Sequence, residues 1–188
     1  MKVLLDTNAL IYLLDPRTPK DIQARLVGLV QEVESARGEI ILPAQVIAEY
    51  LTKAGGAGEK LLDTFLRSKW VVVAPFDHVA AVECAAINAR AIYSGNKRAP
   101  LGRSTAWQKV KVDRQIVAIA KVRRARIIAD DQDIIDLAND ANLAVQRVAS
   151  LPIPEGARQL LLEPLEPRRA TPSPQSQVAG TSAAGDSA

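Results

Sequence analysis

Short apolar runs alternate with longer stretches of helical periodicity along most of the chain. The apolar runs are β-branched or aliphatic and short enough for buried strands. They fall at residues 2–5, 39–42, 70–74, 127–129 and 143–148. Between them, apolar side chains recur every three to four residues, which predicts helices. These helices are predicted at residues 19–36, 44–53, 59–67, 77–93, 112–124 and 133–140.

This alternation predicts an α/β fold, a parallel sheet of about five strands flanked by helices in a single domain over residues 1–151. Residues 95–108 hold Gly, Pro, Asn and basic residues without periodicity and are expected to form a loop. Residues 152–166 are predicted to be a short C-terminal extension, with room for one turn of helix in ARQLLLEPLE. Residues 167–188, rich in Pro, Ser, Thr, Ala and Gly, are predicted to be a disordered tail.

Composition narrows the chemistry. Asp6 and Asn8 interrupt the first apolar run, and no later run nears the roughly 20 residues needed to span a bilayer, so a cytoplasmic protein without membrane contact is expected. Cys84 is the only cysteine, which excludes intrachain disulfides and thiolate clusters. His78 is the only histidine and reads as a surface residue near a helix start. Carboxylates are therefore the expected catalytic groups.

The charge of the chain is unevenly distributed. Residues 90–126 hold eleven Lys or Arg residues and one acid, a net of +10, so the remainder carries −7 of the total of +3. This asymmetry favours a polyanionic partner such as a nucleic acid, although a solvated helix face beside a basic loop would give the same count. The candidate contacts to such a partner are Arg103, Lys109, Lys111 and Arg114.

Acidic residues follow the predicted strands at several points. In an open parallel sheet, the carboxyl ends of the strands share one edge, where ligands bind. The acids that could reach this edge are Asp6 after the first strand, Glu49 in the helix after the second, Asp113 at the opening of the basic helix, and Asp130, Asp131 and Asp133 after the fourth strand. Each alone has an ordinary explanation as a turn, cap or solvated helix residue. Together they predict one acidic site.

Several carboxylates in one pocket need a counter-charge. Mg²⁺ or Mn²⁺ with oxygen ligands supplies it, and such a site hydrolyses phosphodiesters without a histidine. Acids for a metal beside a basic surface for a nucleic-acid backbone predict a nuclease.

Four motifs, LLDTNAL, VIAEYL, VDRQIVAIA and IIADDQDI, occur in this order. The set resembles the PIN-domain nucleases, including the toxins of VapBC-type toxin-antitoxin pairs, over residues 1–148. The resemblance implies a parallel sheet flanked by helices, RNA cleavage dependent on Mg²⁺ or Mn²⁺, homodimerisation and, for a toxin, a cognate antitoxin.

The resemblance also assigns roles to residues of this chain. It implies that the metal-binding and catalytic acids are Asp6, Glu49, Asp113 and Asp131, with Asp133 as an auxiliary ligand and Asn8 and Asp130 as supporting residues. The choice of Asp131 over Asp130 rests on aligning ADDQDI with the family's hydroxyl-x-Asp-x-Asp pattern. Two features depart from the family. Ala129 stands where the family often has Thr or Ser, and the 95–108 loop and the tail make the chain longer than a compact toxin.

Three alternatives to a toxin ribonuclease remain open at this stage. One is a PIN-fold RNA-binding or scaffold protein without catalytic activity. Another is a PIN-like ribonuclease with an RNA-processing role. The last is a phosphatase with Asp6 as nucleophile, which is disfavoured because Asn8 stands where a second Asp would be expected.

Overall fold

One sheet organises the computed structural model, which describes residues 1–157. Its strands are β1 (Lys2–Leu5), β2 (Glu39–Pro43), β3 (Val71–Ala74), β4 (Arg126–Ile128) and β5 (Val145–Gln146). They lie in the order β3-β2-β1-β4-β5, and all neighbouring pairs run parallel. The parallel α/β fold predicted from the alternating pattern is confirmed.

Helices cover this sheet because its strands are apolar on both faces. They are α1 (Thr7–Leu14), α2 (Lys20–Ser35), α3 (Ala44–Leu66), α4 (His78–Tyr93), α5 (Trp107–Arg123), α6 (Gln132–Asp140) and a 3₁₀ turn (Val148–Ser150). The core lies between the layers, with Leu4, Ile41 and Ile127 of the central strands fully or almost fully excluded from solvent. None of the helices within residues 1–157 has the length and apolarity that crossing a membrane requires.

Three elements differ from the prediction. The residues after β1 form α1, a helix too short for its periodicity to be recognised. The helices predicted at 44–53 and 59–67 are one element, α3, which is interrupted at Gly55 by a left-handed φ of 62°. Helix α5 begins at Trp107 rather than at residue 112, because neither Gly nor Pro occurs after residue 102 to stop it. Asp113 is therefore the seventh residue of α5 and does not open the helix.

The strand order creates a switch point in the sheet. From β1 the chain winds outward through β2 and β3, and it then returns to place β4 on the other side of β1. The Asp6 N–H donates to the carbonyl oxygen of Ile128 at 3.0 Å, which fixes the end of β1 beside the end of β4. Ligands bind outside the carboxyl ends of strands at such a switch point.

The chain beyond the last strand packs back on α2. Leu151 is buried, and the Arg25 guanidinium donates to its carbonyl oxygen. Gly28 lies under Pro154, where an added Cβ would stand 2.4 Å from the proline Cγ. The predicted helical turn in 152–166 and the predicted tail at 167–188 lie, from residue 158 onward, outside the described residues.

Candidate active site

Asp6 is the N-cap of α1. Its Oδ1 accepts the Thr7 N–H at 2.6 Å, which directs the carboxyl group to the carboxyl edge of the sheet. The residue is only 5% exposed, and its Oδ2 is buried without a hydrogen-bond partner. Burial raises the pKa of Asp6 to about 6, and the charges of Asp131 and Glu49 act in the same direction against the Thr7 bond. A buried carboxyl group with a free oxygen is suited to binding a cation.

Asp131 is the N-cap of α6, and its Oδ1 accepts the Asp133 N–H at 2.9 Å. Asp130 instead accepts the Val148 N–H at 3.0 Å and so joins the end of β4 to the 3₁₀ turn. The structure thus places Asp131 on the same cavity as Asp6, whereas Asp130 bonds to the 3₁₀ turn.

Asp113 reaches the same place from the middle of α5. It is 7% exposed, and its Oδ2 accepts no hydrogen bond. Burial raises the pKa of Asp113 to about 7, with Lys109 opposing the rise and the negative charges of Asp131, Asp6 and Asp133 adding to it.

Glu49 projects from α3 and is held by two hydrogen bonds. The Thr7 hydroxyl donates to its Oε2 and the Lys53 ammonium to its Oε1, both at 2.7 Å. Partial burial acts to raise the pKa of Glu49, but the bonds from Lys53 and Thr7 outweigh burial and lower it. Glu49 is therefore ionised and oriented before any ligand arrives.

Thr7 is a site residue that sequence reasoning missed. It is 3% exposed and connects the loop that carries Asp6 to the helix that carries Glu49. A hydroxyl residue directly after a candidate acid was the available signal, but its partner lies 42 residues further along the chain.

Lys109 lies among the acids. It is one helical turn before Asp113, with its ammonium 3.8 Å from Asp113 Oδ2 and 3.0 Å from Asp131 Oδ2, and it also donates to Asp133. Burial acts to lower the pKa of Lys109, yet these carboxylates raise it well above its usual value. The carboxylates facing Lys109 are therefore partly neutralised within the protein.

The acids line one open cavity of about 400 Å³. Its wall is formed by Asp6, Thr7, Asn8, Glu49, Lys53, Gln108, Lys109, Val112, Asp113, Ile116 and Asp131. Asp133 touches the site through Lys109, and Asp130 does not line the cavity.

The donors fit a hard divalent cation. All are carboxylate oxygens, and two buried ones, on Asp6 and Asp113, have no hydrogen-bond partner. Within residues 1–157, no three Asp, Glu, His or Cys side chains are close enough to one another to bind one metal ion in their present positions. A metal would thus require the side chains around Lys109 to move closer together.

The predicted RNA contacts divide into two groups. Lys111 and Arg103 are exposed near the start of α5 and in the loop before it. The prediction for Arg114 is wrong, because its side chain is fully buried and donates to Asn88 Oδ1 at 2.6 Å and to the Ala99 carbonyl at 2.8 Å. Val117, three residues after Arg114 and fully buried, lies on the same face of α5 and was the available signal in the sequence.

The two residues set aside from the chemistry lie away from the site. His78 is exposed in the first turn of α4, next to the N-cap Asp77, and Cys84 is a buried free thiol in the same helix.

The fold and the site together define an open parallel α/β protein with carboxylates converging at the switch point of its sheet. The family model that describes the PIN domain matches residues 3–140. The chain belongs to the PIN domain family, whose members are generally nucleases.

Solved structures share this fold. VapBC2 from Rickettsia felis, bound to a DNA fragment from its promoter, is 16% identical with a TM-score of 0.57, and the match covers 78% of this chain and 98% of that one. FitAcB from Neisseria gonorrhoeae is 21% identical with a TM-score of 0.52 and coverages of 79% and 99%. VapBC-1 from nontypeable Haemophilus influenzae is 20% identical with a TM-score of 0.53 and the same coverages. No curated protein matches the sequence.

Proposed function

We propose that this chain is an endoribonuclease of the cytoplasm that depends on Mg²⁺ or Mn²⁺ and hydrolyses RNA phosphodiester bonds. The observation that carries the proposal is a pair of buried carboxylate oxygens, one on Asp6 and one on Asp113, that have no hydrogen-bond partner. They line the same cavity as Asp131 and Glu49. Buried acidic oxygens are costly unless they are paired, so a site built from them suits a cation.

Each acid has a defined task in this proposal. Asp6, Asp113 and Asp131 would hold the metal, with Asp133 as an auxiliary ligand. A divalent ion bound by them would polarise the phosphodiester and lower the pKa of water. Glu49, which Thr7 and Lys53 hold by hydrogen bonds, would accept a proton from the attacking water. Asn8 and Gln108 line the cavity beside them.

Exposed basic residues next in the chain to the cavity wall position the RNA in this proposal. Arg103 and Lys111 flank Gln108 and Lys109 of that wall and are exposed, and they are suited to phosphate oxygens rather than to base edges. This gives backbone binding whose strength falls with salt.

The test uses purified protein, structured RNA and Mn²⁺, with Asp6→Asn and Asp113→Asn compared against Asp63→Asn. Asp63 is exposed on α3, outside the cavity, and its variant should cleave RNA like the wild type. The site variants should lose cleavage while still binding RNA. Cleavage that survives in both would contradict the proposal.

A scaffold role is the second candidate, and Ala129 favours it, because this fully buried residue offers no hydroxyl near the acids. Calorimetry separates the two functions. Salt-dependent RNA binding without any Mn²⁺ binding would support the scaffold and contradict the nuclease.

We also propose a toxin role with an antitoxin partner. Support comes from the VapBC and FitAB complexes that share the fold, and from an apolar groove of about 430 Å³ between α1 and α3. Ile11, Leu14 and Leu61 line this groove, and Lys53 belongs to both the groove and the acidic cavity.

Expression of the chain alone should arrest growth, and co-expression of the product of an adjacent small reading frame should restore it. Growth unaffected by the wild type, although its RNA cleavage is active in vitro, would favour an RNA-processing role.

A homodimer is proposed as the working unit. Four apolar side chains of α4, namely Val79, Val82, Ile92 and Tyr93, are between 58% and 89% exposed. Light scattering on the purified protein should give twice the monomer mass. The Val82→Glu variant should give the mass of the monomer, because the charge disrupts the apolar surface.

A further inference from the structure

The ammonium of Lys109 contacts three carboxylates that come from two elements. It lies 3.0 Å from Asp131 Oδ2 and 3.8 Å from Asp113 Oδ2, and it donates a hydrogen bond to Asp133. Asp113 is on α5, whereas Asp131 and Asp133 are at the start of α6. Lys109 thus joins the two elements at the place where their negative charges meet.

Helix geometry fixes this arrangement. Lys109 and Asp113 are four residues apart on α5, so their side chains share one face. The side chain of Lys109 extends across the cavity to the N-terminus of α6, where the Asp131 carboxylate already accepts a backbone N–H. Lys111, two residues further on, is exposed and does not line the acidic cavity.

The side chain also has room to leave. It is 40% exposed and lines an open cavity, and its flexible four-carbon stem allows the ammonium to swing outward without movement of the helix. Lys53, the other lysine of the cavity, pairs with Glu49. Within residues 1–157, Lys109 is the lysine that pairs with Asp113, Asp131 and Asp133.

We infer that Lys109 is an exchangeable counter-ion, which balances Asp113, Asp131 and Asp133 in the metal-free protein and is displaced from them when a divalent cation binds. The inference rests on the proposed function, because that function brings the cation to the site. A carboxylate oxygen of Asp131 cannot face an ammonium at 3.0 Å and a divalent ion at once without strong repulsion between the two cations. Displacement moves the ammonium to the cavity mouth, where the RNA phosphate would arrive, so the same residue would serve both states.

Exchange has a consequence for metal affinity. Because the divalent ion must first break the contacts of Lys109, the wild-type site binds metal more weakly than the carboxylates alone would. Lys109 also keeps the acids from repelling one another when metal is absent. Metal occupancy then depends on the free ion concentration rather than being permanent.

The first test measures Mn²⁺ binding by isothermal titration calorimetry for the wild type, Lys109→Met and Lys111→Met. Lys109→Met should bind Mn²⁺ about tenfold more tightly, a coupling typical of linked binding events. Lys111→Met removes the same charge two residues away and should change the affinity less than about twofold. Equal or weaker binding by Lys109→Met beside a wild type that binds would overturn the inference and leave the nuclease proposal intact. Absence of Mn²⁺ binding in all three proteins would instead contradict the nuclease proposal.

The second test needs no variant. Brief acetylation of the wild type, followed by mass spectrometry of its peptides, reports how accessible each lysine is. Saturating Mn²⁺ should raise the acetylation of Lys109 at least about twofold relative to Lys111, because a side chain released from the carboxylates can lose a proton to solvent and present its neutral amine to the reagent. Unchanged labelling of Lys109 in protein that calorimetry shows to be loaded with Mn²⁺ would overturn the inference.

Discussion

Asp6 and Asp113 determine how the site behaves without metal. Both carboxyl groups are almost fully buried, and burial holds their pKa values at about 6 and about 7, against an ordinary value of 3.8. Between about pH 4 and pH 7, these two carboxyl groups thus keep their protons in the native state, whereas they have released them in the unfolded chain. Each pKa unit of such a difference corresponds to about 1.4 kcal/mol.

This difference predicts how stability depends on pH. Since the folded pKa values are raised, the free energy of unfolding of the metal-free protein should fall as pH rises from about 4 to about 7 and stay level above that. Asp113→Asn should remove the larger part of this loss of stability, because the pKa of Asp113 is raised further than that of Asp6. In EDTA at pH 8, urea denaturation should show the variant more stable than the wild type by on the order of 1–2 kcal/mol, with the gain gone by pH 4–5.

Excess Mn²⁺ should reverse this order, because it stabilises the wild type through a site that the variant lacks. Asp63→Asn, on an exposed residue, should follow the wild-type curve throughout. A variant with the wild-type pH profile in EDTA would show that burial does not perturb Asp113.

Thr7 offers a separate test at the residue scale. Thr7→Val keeps the shape of the side chain but removes the hydroxyl that donates to Glu49. A hydrogen bond to a charged group contributes about 1.5–3 kcal/mol, so the rate of RNA cleavage should fall by roughly 10-fold or more while Mn²⁺ affinity changes little. Thr52→Val is the matched control, since its hydroxyl bonds only to the Ala48 carbonyl within α3. Equal losses in both variants would contradict the role of Thr7.

At the scale of elements, the segment 94–106 before α5 is held by its own contacts. Asn96 donates to the Leu101 carbonyl at 3.2 Å, and the Arg98 Nε donates to the Thr105 carbonyl at 2.7 Å. Leu101 is buried, and the cations of Lys97 and Arg114 lie 5.2 and 5.9 Å from the centroid of the Trp107 ring. The segment is therefore ordered, and Arg114 anchors it through the Ala99 carbonyl.

Arg114→Ala tests the anchor. The change removes a fully buried side chain and leaves Asn88 and the Ala99 carbonyl without their donor. Chemical denaturation should show a loss of on the order of 3 kcal/mol, and limited proteolysis should cut between residues 94 and 106 sooner. Arg103→Ala, in the same segment but exposed, should lie within about 0.5 kcal/mol of the wild type. Resistance of the Arg114 variant to proteolysis would argue against anchoring.

The start of α5 was the most consequential error of the sequence-based prediction. Beginning the helix at Trp107 brings Lys109 onto the same helix face as Asp113. The polar Gln108, Lys109 and Lys111 hid this turn, because Val110 is the one fully buried residue among residues 107–111 and a single buried position sets no period.

For the whole molecule, the basic segment is divided between two opposite edges. Helix α5 rises about 21 Å from Lys109 to Arg123 at about 1.5 Å per residue. Arg123 and Arg124 line a cavity with Met1 and Lys2 at the amino edge of the sheet, and Lys121 is paired with Glu83 at 2.6 Å. Only the first part of the segment therefore faces the acidic site.

This division predicts where RNA binds. Arg103→Ala combined with Lys111→Ala should weaken RNA binding several-fold and reduce its salt dependence by about two phosphate contacts. Arg123→Ala combined with Arg124→Ala removes the same charge at the other edge and should leave both unchanged. Fluorescence anisotropy across a range of salt concentrations measures both quantities, and equal effects from the two pairs would contradict binding at the carboxyl edge.

The sequence by itself determined the layers, because the period of apolar residues fixes which segments are strands and which are helices. It also placed Asp6 and Asp131 directly after two strands, since that depends only on local order. The tertiary structure decided which strands are neighbours, and so brought Asp113 and Glu49 to the same cavity. It also separated Asp130 from Asp131, buried Arg114 and set Lys109 among the acids. These outcomes depend on contacts between residues far apart in the chain, which periodicity within one segment does not encode.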